Sequence, residues 1–192
     1  MRSVFHSEAD FQHSFGQVLQ CLVPGLNVRL EVRQDDAEYL DLLCFGPNGR
    51  TAVEFKYKTA YWEGTDPGTG EMFRLRAHAA QDVARRDFVF DIERLERFCR
   101  AAPDETSGFA VMLTNDVGLW KPPTSARQTR DREFRIHEGR TLTGVLRWGG
   151  GDYPANERQL AGRYEMEWRD YSEMGGRNGL FRWLAVTVDA TG

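Results

Sequence analysis

Residues 39–58, YLDLLCFGPNGRTAVEFKYK, constrain this chain more than any other stretch. Two runs of alternating apolar residues flank Gly46-Pro47-Asn48-Gly49, and Asn and Gly tolerate the positive φ that a tight hairpin turn needs. The expectation is a pair of antiparallel strands. If Phe45 pairs with Arg50, Asp41 stands directly opposite Glu54. If Asn48-Gly49 alone makes the turn, Asp41 faces Lys56 and lies diagonal to Glu54. In both registers Asp41, Glu54 and Lys56 share one face, because side chains alternate with a period of two. Thr51, Val53, Phe55 and Tyr57 take the other face, which reads as core. An odd-length loop would turn the second strand over and separate the three.

Two carboxylates facing each other across a strand pair repel, and a cation between them removes that cost. Hard ions such as Mg²⁺ take oxygen ligands, commonly one or two carboxylates completed by water and substrate phosphate. Lys56 would lie beside such an ion, placed to orient or polarise an attacking water. The same three residues also fit an exposed, salt-bridged strand face, so the surrounding pattern has to decide.

Upstream, Ser7-Glu8-Ala9-Asp10 reads as a helix start, with Ser7 as cap and acids in the first turn. Phe11, Phe15, Val18, Leu19 and Leu22 follow at helical spacing until Pro24-Gly25. Residues 27–33 alternate as a strand, and 34–38 form a polar link. After the hairpin, 59–74 holds Tyr61-Trp62 and several Gly and Pro, and reads as a loop. Residues 75–100 are helical, with Phe88, Ile92, Leu95 and Cys99 on one stripe and a kink or break at Phe88-Val89-Phe90. Asp91 to Glu96 reads as a surface salt-bridge pattern with Arg94 and Arg97. Residues 108–115, GFAVMLTN, form an apolar run expected of a buried strand. Residues 116–135 are polar and carry Lys121, Arg127, Arg130, Arg132 and Arg135. They suit contact with a phosphate backbone, or equally a surface loop balanced by Asp131 and Glu133. Residues 141–148, 163–171 and 180–189 read as strands, the last two joined at 175–179, as an extension of the sheet or a small flanking one.

At 192 residues the chain is expected to be one domain: a core over 1–115, a basic loop over 116–140 and accessory strands over 141–192. A net charge of −4 argues against indiscriminate coating of nucleic acid but not against a local basic cleft. No apolar run is long enough to span a membrane and no signal-peptide pattern is seen. Cys21, Cys44 and Cys99 are isolated, each in an apolar setting, which points to small buried hydrophobes in a reducing cytoplasm.

Asp41 … Glu54-Phe55-Lys56 resembles the PD-(D/E)xK phosphodiesterase superfamily, the fold of restriction endonucleases, with Leu40 where a proline is usual. The resemblance covers roughly the first 115 residues. It implies an α/β fold: a restriction endonuclease-like αβββαβ core, with a mixed central sheet flanked by helices and extra antiparallel strands at the C-terminal end. It implies a divalent-metal-dependent nuclease hydrolysing phosphodiester bonds of DNA. Mg²⁺ or Mn²⁺ would be held by Asp41, Glu54 and the main-chain carbonyl of Phe55, with Glu8 tuning the metal from outside or sharing a second ion, and with Lys56 as the catalytic lysine. Gln81 would reach the site from the second helix and touch phosphate or a metal-bound water. Arg85, Lys58, Lys121, Arg127 and Arg130 are the further candidates for holding substrate, and a homodimer is compatible. The alternative is an inactive nucleic-acid-binding or regulatory module on the same fold.

Overall fold

The computed structural model describes residues 2–34, 37–47, 49–102, 106–124 and 128–189. The architecture is α/β, built on a mixed six-stranded sheet. Its strands, in sheet order, are β1 (Asn27–Arg33), β2 (Tyr39–Gly46), β3 (Gly49–Lys58), β6 (Thr106–Thr114), β10 (Leu180–Val188) and β9 (Trp168–Glu173). β3 and β6 run parallel, and the other neighbouring pairs run antiparallel. Helix α1 (Glu8–Leu22) covers one face, and the 21-residue α2 (Gln81–Ala101) covers the other.

Each face has its own core, as alternation dictates. Leu42, Val53, Phe55 and Tyr57 pack with Phe11 on the α1 side. Ala52, Ala110 and Met112 meet Phe88, Ile92 and Leu95 on the α2 side. All three helix residues are fully buried, and each contributes about 1.5–3 kcal/mol by leaving water. Ser7 Oγ caps α1 by accepting from the Asp10 N–H, at 3.2 Å. Phe45 pairs with Arg50 and Gly46 with Gly49, so the first of the two hairpin registers is the one adopted.

Several expectations are corrected. The inner stripe of α1 runs past the sheet, leaving Val18 and Leu22 exposed, and Cys21 is exposed as well. Within 59–74 the chain makes a hairpin of β4 (Trp62–Thr65) and β5 (Met72–Leu75), pinned by Trp62, Phe73 and Leu75 in the α1-side core. Strands of four residues interrupted by Gly and Pro carry no readable period. α2 therefore begins at Gln81 rather than at residue 75, and it passes Phe88-Val89-Phe90 without a break. The 116–135 segment includes a short helix α3 (Val117–Trp120) and a 3-10 turn that buries Phe134. The strand expected over 163–171 is two strands, since β8 (Arg158–Glu165) turns into β9. β8 pairs with β7 (Thr141–Leu146) in a small separate sheet packed near α2, while β9 and β10 extend the central sheet.

Candidate functional site

The β2–β3 ladder stops at Leu42–Val53, and Asp41 lies just beyond it. Leu40 and Leu43 both join the α2-side core although they are three residues apart, so alternation slips at Asp41. β3 runs on, paired with β6 as far as Lys58. Its backbone groups on the side β2 has left need partners, and side chains supply them. Asp41 Oδ2 accepts from the Phe55 N–H at 2.7 Å, and Glu8 Oε2 accepts from the Tyr57 N–H at 2.7 Å. The Lys56 ammonium donates to the Phe55 carbonyl at 3.1 Å. Asp41 therefore reaches along the freed edge of β3 to Phe55, and its charge still acts on Glu54 and Lys56.

On the face toward α2 a buried charge network closes the site. Lys56 Nζ is 2.5 Å from Asp91 Oδ2, Arg94 Nη1 is 2.9 Å from Glu54 Oε2, and Arg94 Nη1 is 3.5 Å from Asp91 Oδ1. Glu54 is 1% exposed and Asp91 is 2%. The surface pattern expected over 91–96 is thus overturned for Asp91 and for Glu96, which is also buried. It holds for Arg97, which pairs with Glu93 at 3.0 Å.

Burial, then the Asp91 and Asp41 carboxylates, push the Glu54 carboxyl up to about 9, with Arg94 pulling the other way. Burial raises Asp91 to about 6 against the opposing pull of Lys56 and Arg94. Burial alone would lower Lys56, but the carboxylates of Asp91, Glu8 and Asp41 outweigh it and hold the ammonium charged. Glu54 Oε1 is buried and has no hydrogen-bond partner among the described residues.

Among the described residues no group of three or more His, Cys, Asp or Glu is placed to hold a metal ion, so Glu8, Asp41 and Glu54 do not form one cage. A smaller donor set remains. The unpartnered Glu54 oxygen, the second oxygen of Asp41 and the Phe55 carbonyl suit Mg²⁺, which takes one or two carboxylates and leaves the rest to water and phosphate.

Gln81 is not part of this cluster. It lies ten residues, roughly 15 Å, from Asp91 along α2, and its amide donates to both Asp116 oxygens at 2.9 Å. Arg85 pairs with Asp131 and donates to the Gly118 carbonyl at 2.7 Å. Arg130 pairs with Asp82 at 2.9 Å, Lys121 is exposed after α3, and Arg127 lies outside the described residues. Gln81, Arg85 and Arg130 line a cavity of about 530 Å³ beyond the carboxyl ends of β3 and β6. A contiguous cavity of about 250 Å³ adds Lys58 and Asp87. Open α/β sheets bind ligands beyond these strand ends. His78 lines both cavities, and burial, then Lys58, hold its imidazole below the ordinary value.

Sequence reasoning missed Asp91, Arg94 and His78. A signal existed for the first: Asp91 lies three residues after Phe88 and four before Leu95, inside the apolar stripe. No family model matches the chain, and no curated protein or solved structure matches it either. Among the described residues no helix is long and apolar enough to cross a membrane.

Proposed function

We propose that the chain is a divalent-metal-dependent phosphodiesterase acting on nucleic acid, with DNA as the substrate, a cytoplasmic setting and a site of the PD-(D/E)xK kind. The observation that carries this is Glu54 Oε1, a buried carboxyl oxygen without a hydrogen-bond partner among the described residues, beside two further carboxyl groups and a charged lysine. A fold seldom keeps so costly an atom for stability alone. Asp41, Glu54 and the Phe55 carbonyl would hold Mg²⁺ or Mn²⁺. When bound, that ion supplies Lewis-acid polarisation of the phosphate and a more acidic water.

The chain's own residues do the rest. Lys56 donates to a non-bridging phosphate oxygen as negative charge builds there. Asp91 keeps its ammonium protonated and fixed. Glu8 and Asp41 anchor the β3 edge, so that the Phe55 carbonyl keeps its direction. Purified protein incubated with plasmid, linear DNA and RNA, with Mg²⁺, Mn²⁺ or EDTA, tests the proposal. Metal-dependent cleavage lost in Glu54→Gln supports it, and metal-independent or absent cleavage refutes it.

One observation favours a second reading. Glu54, Asp91, Lys56 and Arg94 form a closed, mutually paired buried quartet, as a purely structural network would. An inactive nucleic-acid-binding module on this frame binds DNA or RNA without divalent-dependent cleavage.

A further inference from the structure

We propose that Lys58 and His78 form a phosphate subsite that takes the backbone phosphate next to the scissile one. This rests on the phosphodiesterase reading above. Lys58 follows Lys56 by two residues on the same face of β3, roughly 7 Å along an extended strand. Neighbouring phosphates of an extended nucleic acid strand are spaced on the same scale. Lys58 opens into the smaller cavity together with His78.

The imidazole is held in one tautomer. The Thr59 N–H donates to His78 Nδ1 at 3.0 Å, and a backbone N–H can only donate. Nδ1 is therefore the unprotonated nitrogen, and Nε2 carries the hydrogen. The His78 N–H returns a bond to the Thr59 carbonyl at 2.7 Å, and Thr59 Oγ1 donates to the Arg76 carbonyl at 2.7 Å. Asn115, buried, brackets the next residue by accepting from the Ala60 N–H at 2.8 Å. A fixed ring thus presents one neutral N–H donor beside an ammonium.

Of the carboxylates lining the same space, Asp131 takes Arg85, Asp82 takes Arg130 and Asp87 takes Arg86. Asp116 is held by the neutral Gln81 amide and the Gly118 N–H, with Arg135 lining the same cavity. Glu8, whose charge reaches His78, is engaged by the Tyr57 N–H. Neither the Lys58 ammonium nor His78 Nε2 has a side-chain partner among the described residues. The Lys58 ammonium and the oriented Nε2–H are left to meet a ligand, the complement of a phosphate diester.

The test is binding of a fluorescent single-stranded oligodeoxynucleotide in EDTA, followed by anisotropy, for wild type, Lys58→Ala and His78→Asn. Asparagine keeps an acceptor for the Thr59 N–H and deletes the donor beyond it, and thermal unfolding checks its fold. Each variant should bind about tenfold more weakly, the size of one hydrogen bond to a charged group. Lys58→Ala should also lower the salt slope by about one, and His78→Asn should not change it. With metal present, the loss should fall on KM rather than kcat. Wild-type affinity in both variants overturns the subsite, as does inorganic phosphate binding as tightly as the oligonucleotide. Weakened binding in the variants without cleavage by wild type keeps the subsite and removes the hydrolytic reading. Cleavage with unchanged KM in both variants does the reverse, and absence of binding in EDTA together with absence of cleavage in metal removes both.

Discussion

Glu54→Gln separates what this site does for function from what it does for stability. In the unfolded chain the carboxyl ionises near 4.5; in the fold it keeps its proton up to about 9. Between those values the native state binds one proton more than the unfolded state, so stability falls as pH rises. The contribution is complete below pH 4.5, declines by about 1.4 kcal/mol per pH unit, and is gone above about pH 9. At pH 7.5, three pH units above the unfolded value, the loss reaches about 4 kcal/mol as an upper limit. Asp91 contributes a decline of the same sign only between 3.8 and about 6, so work from pH 7 upward isolates Glu54.

Glutamine keeps an oxygen for Arg94 and never ionises. The variant should therefore be more stable than wild type at pH 7.5 by about 2 kcal/mol, half the limit, or roughly 4–8 °C in Tm for a chain of this size. The difference should widen steadily toward pH 9. Urea unfolding in EDTA at several pH values between about 7 and 9, extrapolated to water, measures it. Cleavage should be lost in the same variant. Parallel stability curves for the two proteins, or a variant less stable at pH 8.5, would refute the reasoning, because Glu54 would then be an ordinary structural partner of Arg94.

Lys56→Ala should abolish cleavage but also cost about 3–5 kcal/mol, because Asp91 is left charged and buried. Replacing both partners in Lys56→Met/Asp91→Leu should recover most of that in thermal unfolding while cleavage stays absent. Glu96 is 2% exposed and accepts from the Ala161 and Gly162 N–H groups and the Tyr164 hydroxyl. Glu96→Ala strands those donors and should cost on the order of 3 kcal/mol in urea unfolding, with cleavage per folded molecule unchanged. A Cβ at Gly108 would sit 3.1 Å from Leu95 Cβ, so Gly108→Val should cost about 1–3 kcal/mol by overpacking α2 against β6.

The hairpin was legible because alternation and turn chemistry agree, and the α2 stripe because Phe88, Ile92, Leu95 and Cys99 keep one period. Asp91 and Glu96 were misjudged for a physical reason. Charges four apart on a helix pair readily at a surface, yet both acids fall on the apolar stripe, Glu96 four after Ile92 and three before Cys99. A charge at such a position is buried and must find its partner on another element, as Asp91 does with Lys56 and Glu96 does with β8. The contact of Glu8 with Tyr57 was beyond reach because it depends on β2 ending before β3 does, and that of His78 with Thr59 because it joins residues on either side of the β4–β5 hairpin. The early end of β2 separates two roles. Asp41 and Glu8 satisfy strand-edge N–H groups whether or not a cation is bound, so their presence would be expected of the fold alone. Among the described residues Glu54 satisfies no backbone group and leaves one oxygen unpartnered in the interior. If catalysis is the reason for this arrangement, Glu54 is the residue at which function opposes stability, and its titration is where the conflict is measurable.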